Sequence, residues 1–205
     1  MNTNRTFYER FWGKRETAHQ DPLTEERVAL FLGIAGPRVR ILDLGCGNGT
    51  ASKFLATKGH QVLGVDISRD ALQKARELDV PLPTVQAACD GPLPFATSSF
   101  DAVYCTEVIE HVLDPETLVQ ESHRILKPQG QFFLSAPYHG LIKNLLLAGL
   151  AFEKHFDVLG GHIRFFTVPA LEKLLVSNGF KVERVWRLGR FWPIWMDSVL
   201  LARKP

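Results

Sequence analysis

Ile41-Leu42-Asp43-Leu44-Gly45-Cys46-Gly47-Asn48-Gly49-Thr50 is the stretch that decides how this chain folds. Val39 to Leu44 is β-branched and leucine-rich, as a short buried strand requires, and three glycines follow at alternate positions. Glycine lets the backbone turn sharply there and lets a ligand approach without meeting a Cβ. A helix is predicted to open at Gly49 or Thr50, with its free N–H groups directed at whatever occupies the turn. The pattern is a strand–turn–helix unit of a parallel α/β sheet with a ligand site at the turn.

Gln61 to Asp66 (QVLGVD) reads as the next parallel strand, ending on an acid 21 positions after Gly45. An acid at that distance sits at the neighbouring strand tip, where it can accept from both hydroxyls of a ribose. Two features then separate the ligands. Asp43 lies one residue before the strand ends, where it would repel a pyrophosphate and attract the ammonium and sulfonium of S-adenosylmethionine (SAM). Gly49 follows Gly47 by two positions, whereas the dinucleotide fingerprint needs three. Charge and spacing both favour SAM over a nicotinamide dinucleotide. A tight turn with Asp66 as a simple helix cap is the purely structural alternative.

The 205 residues fit one domain with a sizeable core, and a hydrophobic share of 45% with 22% charged residues suits a globular chain. A net charge of +2 does not imply a polyanionic partner. Cys46, Cys89 and Cys105 lack metal-type spacing and are odd in number, which suits small buried residues of a reduced cytoplasmic protein. The start is polar with no apolar secretory core. The longest apolar stretch, Leu141 to Phe152, is interrupted by Lys143 and Asn144 and falls short of the ~20 residues of a membrane span. Nothing in the sequence speaks to an oligomeric state.

Residues 1–36 read as an N-terminal helical cap, and Gly36-Pro37 breaks them from the first strand. Ser68 is the expected cap of a helix running to about Leu78, with short strands at Thr84–Ala88 and Phe100–Thr106. Asp114-Pro115 opens another helix, which ends near Lys127-Pro128. Gln131–Ala136 is a fifth strand, and 137–166 a long insertion containing an apolar helix. Thr167 caps a helix that Gly179 closes, and strands Phe180–Leu188 and Trp195–Arg203 complete the chain. This alternation predicts a single Rossmann-like α/β domain over 1–205: a doubly wound, seven-stranded sheet ending in an antiparallel pair at one edge, with a helical lid after strand five.

Taken together, LDLGCGNG, GVDIS, DGPLPFATSSF, FDAV, EHV, RILKPQG and SNGF resemble the class I SAM-dependent methyltransferases over roughly residues 37–204. One departure is Gln129 in RILKPQG, where the family usually has a second glycine. The resemblance implies that Asp43, Gly45 and Gly47, with Cys46 between them, surround the methionine portion of SAM. It matches Asp66 to the ribose acid and Ile67 to the residue packing on adenine. Asp90 matches the acid accepting from the adenine amino group, with backbone contacts from Cys89 or Gly91. Glu107 lies where the family's chain passes beneath the sulfonium.

The acceptor side is less defined. If Thr106–Val112 begins a helix, Glu107, Glu110 and His111 are spaced i, i+3 and i+4 and share a face, where they could bind a divalent cation such as Mg or Mn. The same E-x-x-E-H pattern resembles the ubiquinone-pathway catechol O-methyltransferases and the 2′-O-methyltransferases of small-RNA ends, which hold a metal there. Those groups add a histidine at the position of Gly160, whereas this chain has His162. His111 and His162 are candidate bases, and His139 is read as a hydrogen-bonding residue. Phe7, Tyr8, Phe11 and Trp12 could close the cofactor side, and the apolar helix of the insertion could wall a greasy pocket. The expected acceptor is a small, apolar or aromatic molecule methylated on oxygen. An RNA 2′-O-methyltransferase reading rests on the metal-type motif and on Arg184, Arg187, Arg190, Arg203 and Lys204, and phosphate tracking needs a denser basic face than a +2 chain displays. A SAM-binding partner subunit or sensor without turnover is the other class of function.

Overall fold

The computed structural model describes residues 3–13, 21–150 and 161–205. Its elements follow in the order α1 (Thr3–Gly13), α2 (Thr24–Leu32), β1 (Arg40–Leu44), α3 (Thr50–Thr57), β2 (Gln61–Asp66), α4 (Arg69–Arg76), β3 (Thr84–Gln86) and β4 (Phe100–Thr106). A single 3-10 turn (Ile109–His111) comes next, then α5 (Pro115–Ile125), β5 (Leu126–Pro137), α6 (Leu141–Leu150), α7 (Val168–Ser177), β6 (Lys181–Leu188) and β7 (Asp197–Arg203). The seven strands form one sheet in the order β3-β2-β1-β4-β5-β7-β6. All pairings among β1 to β5 are parallel, while β7 runs antiparallel to both neighbours.

The central strands β1, β4 and β5 alternate their side chains between two buried layers, which is what a sheet covered on both faces demands. Leu42, Leu44, Val103, Cys105, Phe132 and Leu134 face the layer holding Leu118 of α5 and Leu171 of α7. Ile41, Tyr104 and Phe133 face the opposite layer, where Phe31 of α2 and Leu55 of α3 pack. The closing antiparallel pair forms as expected, with β7 inside and β6 at the edge. The sequences explain the choice: DSVLLAR is buried almost throughout, whereas KVERVWRL is half exposed.

Local signals fix the element ends. Ser68 accepts from the Ala71 N–H, Asp114 from Thr117 and Thr167 from Ala170, so α4, α5 and α7 open on side-chain caps. Gly179 closes α7 in the left-handed region at φ 84°. Gln129, the departure noted in RILKPQG, also adopts a positive φ of 64°, as a glycine there would, and its N–H donates to the Lys204 carbonyl at 2.9 Å. β1 and β4 are where the strand order reverses, so the crevice beyond their carboxyl ends is the natural ligand site of this topology.

Candidate active site

The glycine turn is built around the tip of β2. Gly45 and Cys46 both donate their N–H to the Val65 carbonyl, at 2.7 and 2.9 Å. Gly45 stands at φ 81° against Val108, and Gly47 at φ 52° beneath the Trp12 ring, where an added Cβ would lie 2.8 Å from Cζ2. Asp66 locks the arrangement, its Oδ2 accepting from Gly47 N–H at 2.9 Å and its Oδ1 from Ser68 N–H at 2.8 Å. Burial raises its pKa, opposed by the Ser68, Gly47 and Ile67 N–H groups. Each oxygen still has a lone pair for a ligand hydroxyl.

Asp43 takes a different place from the one expected. It is 3% exposed, lies behind the turn rather than in the cleft, and accepts from Ser52 Oγ at 2.5 Å. Burial pushes its pKa up to about 7, Ser52 pulling the other way. A side chain one residue before the turn points back into the layer that α3 covers, so Ser52 meets it first. Cys46 is likewise turned inward: its Sγ occupies the space where Gly64 would carry a Cβ, 2.7 Å away, and burial pushes its thiol pKa well up. Gly91 does not line the cleft either, whereas Ile67, Cys89 and Asp90 do. The Asp90 carboxylate accepts from the N–H groups of Leu113 and Asp114 at 2.9 and 3.3 Å, tying the loop after β3 to the start of α5.

The cleft has a volume of about 460 Å³. Four α1 aromatics, Phe7, Tyr8, Phe11 and Trp12, wall it on one side. Asp21, Asp66, Asp90 and Glu107 line it, and among the described lining residues there is no lysine or arginine. The cavity is thus acidic and aromatic, suited to a cation. The apolar helix α6 is not part of this wall: none of its residues is buried, and Leu141 and Leu150 are 77% and 84% exposed. Ala151, Phe152 and Gly160 lie outside the described residues.

On the acceptor side the expected helical turn fails to form. Glu107 adopts φ 56°, and only Ile109–His111 winds, as a 3-10 turn. The left-handed backbone at Glu107 breaks the turn, and Asp114-Pro115 keeps what winds from running on into α5, because the residue before proline is driven out of the helical region. Glu107 therefore parts from Glu110 and His111. Its Oε1 accepts from Ser135 Oγ at 3.0 Å and faces Arg27 Nη1 at 3.6 Å, while burial, Glu110 and Asp197 raise its pKa well above the carboxylate range.

His162 takes the place expected of Glu107. One ligating atom each from Glu110, His111 and His162 lie within 4.8 Å of one another. Glu110 is 1% exposed, and neither carboxylate oxygen has a hydrogen bond among the described residues, with His111 Nε2 and His162 Nε2 standing 3.6 and 4.0 Å from Oε1. Burial, with Asp197 adding, pushes its pKa up to about 8 against the pull of its own backbone N–H and Arg27. Burial lowers His111 to about 4, with His162 adding and the Gly161 bond opposing. The Gly161 carbonyl lies 2.7 Å from His111 Nδ1. A carbonyl only accepts, so Nδ1 carries the hydrogen and Nε2 the lone pair. The Glu110 carbonyl accepts from Ile163 and Arg164 at 3.0 and 3.2 Å, fastening this end of the insertion onto the turn. His139 is 5% exposed, bonded to Asn144 at 3.2 Å and away from the cleft.

Beneath the cleft lies a charge cluster that the sequence reading missed. Arg27, 2% exposed, donates to Asp197 Oδ2 at 2.6 Å and pairs with Asp21 and Glu107. The available signal was periodicity: Leu23, Arg27, Val28 and Phe31 share the buried face of α2, so an arginine sits in an apolar stripe. Of the basic residues near the C-terminus, Arg203 pairs with Glu183 at 2.7 Å, and Lys204 donates to the carbonyls of His123 and Leu126.

A family described as a methyltransferase domain matches residues 42–134. A ubiquinone biosynthesis O-methyltransferase of Chromobacterium violaceum is 35% identical over 177 residues, 82% of this chain and 75% of its own length. The protein of that name from Xanthomonas oryzae is 36% identical over 134 residues, 62% of this chain and 55% of the relative, so the match spans little more than half of that protein. A Burkholderia thailandensis 1,6-didemethyltoxoflavin-N1-methyltransferase, solved with 1,6-didemethyltoxoflavin and S-adenosylhomocysteine, superposes with a TM-score of 0.75 at 19% identity, over 98% of this chain and 86% of that one. Among the described residues no helix is long and apolar enough to cross a membrane. Motif order, sheet topology and these relatives agree: the chain belongs to the class I SAM-dependent methyltransferases.

Proposed function

We propose that this chain binds SAM in the acidic, aromatic cleft and transfers its methyl group to a small aromatic or apolar acceptor, through oxygen. The lining carries this reading: Asp66 and Asp90 held by backbone N–H groups, four aromatic rings and no lysine or arginine among the described lining residues suit a sulfonium and oppose a pyrophosphate, while Asp21 and Glu107 are paired with Arg27 beneath the cleft. The names of the Chromobacterium and Xanthomonas relatives support oxygen as the acceptor atom. SAM supplies a methyl group already activated by positive sulfur. The residues have then to bind, align and exclude water. Asp66 accepts from the ribose hydroxyls, Ile67 packs on adenine and Asp90 accepts from its amino group. The α1 aromatics exclude water and offer ring faces to an aromatic acceptor. His111, which burial holds neutral at rest, directs its Nε2 lone pair through the Gly161 bond and takes the acceptor's proton as the C–O bond forms and the oxygen turns acidic, with His162 beside it at a ring separation of 4.8 Å.

A divalent cation is the second reading, favoured by the buried Glu110 carboxylate, which has no hydrogen bond among the described residues and faces His111 and His162. Glu110, His111 and His162 would hold it, with the Gly161 carbonyl fixing the His111 tautomer from behind. An imidazole-rich set suits Mn better than Mg, and a cation there would lower the pKa of an acceptor hydroxyl.

Calorimetry with SAM and NAD, followed by assay of S-adenosylhomocysteine formation on a panel of phenols and catechols, tests the proposal. Saturable SAM binding and product formation are expected. Tighter binding of NAD would overturn the cofactor assignment. SAM binding with no product across phenols, amines and short RNAs would favour the partner or sensor reading.

A further inference from the structure

We propose that Glu9 is a positioning residue that clasps α1 over the cleft and thereby sets how fast SAM and its demethylated product exchange. The proposal rests on the cofactor reading above. Its ground is the division of α1 into two sides. Phe7, Tyr8, Phe11 and Trp12 line the cleft, and the Trp12 ring stands over Gly47, so a ligand on the glycine turn lies beneath this helix. Glu9 reaches the other way, to the start of α4. Its Oε1 accepts from Arg69 N–H at 3.0 Å and Gln86 Nε2 at 3.4 Å, and its Oε2 from Ser68 Oγ at 3.0 Å and Asp70 N–H at 3.3 Å.

The first N–H groups of a helix have no partner within it. Ser68, the N-cap of α4, serves Ala71 with its own oxygen at 3.2 Å. Glu9 serves the two N–H groups before that, so the capping of α4 is completed by a carboxylate from α1, at the helix end that favours negative charge. Those donors hold Glu9 below the usual carboxylate range despite the upward push of partial burial. A second fastening joins the same pair of helices: Lys74 Nζ donates to the Trp12 carbonyl at 2.7 Å and lies 5.9 Å from the Trp12 ring centroid. The Arg5–Glu9 pair, at 3.6 Å and exposed, adds little.

Both fastenings end on the helix that follows the ribose acid. Asp66 Oδ1 accepts from Ser68 N–H, and Ser68 Oγ donates to Glu9. The clasp thus joins the wall of the cleft to the turn that grips the sugar. Glu9 touches no reacting atom and acts only by holding that wall.

The experiment is stopped-flow release of S-adenosylhomocysteine from the full chain, followed by tryptophan fluorescence, in which Trp12, the one of the four tryptophans that lines the cleft, is expected to carry the change. In Glu9→Gln the side-chain amide must face an N–H donor, so at least one of the capping bonds is lost. Release is expected to quicken roughly tenfold, with association changed much less and the melting temperature within about four degrees of wild type. A staple should act in the opposite sense. An added Cβ on Gly13 lies 2.9 Å from Asp70 Oδ2, so Gly13→Cys with Asp70→Cys joins α1 to α4. Oxidised, it should release the ligand more slowly than wild type, and reduction should restore the rate. Unchanged release in both variants, with wild type still binding tightly, would overturn the clasp and leave the cofactor reading intact. Failure of the wild-type chain to bind S-adenosylhomocysteine would overturn both.

Discussion

The cofactor side and the acceptor side of this cleft are built on different principles. Around Gly45–Gly49 and Asp66 the geometry is held by backbone: Val65, Gly47 and Ser68 supply the bonds, and Asp66 lies only 19 residues from the N–H of Gly47 that it holds. Around Glu107, Glu110 and His111 it is held by side chains from distant segments: Arg27 meets Asp197 across 170 residues, and His111 meets Gly161 across 50. The first kind of site tolerates any neighbours that leave the turn free. The second depends on every partner being present, because a buried charge without its counterpart is costly.

Arg27→Ala should therefore have the largest effect, and on stability first. It leaves Asp197 buried and unpaired beside Glu107, at a cost of about 3–5 kcal/mol. Urea unfolding measures this. Replacing Arg27 and Asp197 together by apolar residues should recover much of the loss. A loss below about 1 kcal/mol in the single variant would show that the cluster is well solvated and would erase the contrast drawn above. Asp66→Ala should show the reverse balance, with SAM binding weakened by about 1–3 kcal/mol through lost charge-assisted ribose bonds. Calorimetry reads it. Unchanged affinity would mean that the ribose does not sit on β2.

The same contrast explains what the sequence disclosed. The caps at Ser68, Asp114 and Thr167 and the closing Gly179 are legible because each is satisfied within a few residues, and the glycine turn and Asp66 because they meet within one strand–helix–strand unit. The α1 aromatics were legible as a wall because four of them fall within six positions. The helical reading of Thr106–Val112 failed because i, i+3, i+4 spacing carries no information on backbone φ, and Glu107 turns left-handed at 56°. Asp43 was placed in the cleft because Ser52, nine residues on, carries no motif. Arg27, Asp197 and the Glu9 clasp were invisible for a shared reason: a long-range pair leaves no pattern beyond one polar residue in an unexpected register.

Asp43 offers the finest test, since it is the one acid of the cofactor side held by a side chain rather than by the turn. Folded, it keeps its proton to about pH 7; unfolded, it releases it near 3.8. Between those values the native chain binds the extra proton, so stability falls as pH rises. The contribution is complete below the unfolded value and is lost as pH climbs through the folded one. An asparagine at this position would still accept from Ser52 and does not titrate. Asp43→Asn should accordingly gain stability relative to wild type from about pH 4 to 7, at no more than about 1.4 kcal/mol per pH unit, and level off above. A flat difference would mean that water reaches the carboxylate. SAM, being cationic, favours the ionised form, so binding below about pH 7 should release a proton. Calorimetry in buffers of different ionisation heat would detect it, and its absence in Asp43→Asn would assign that proton to the acid behind the turn.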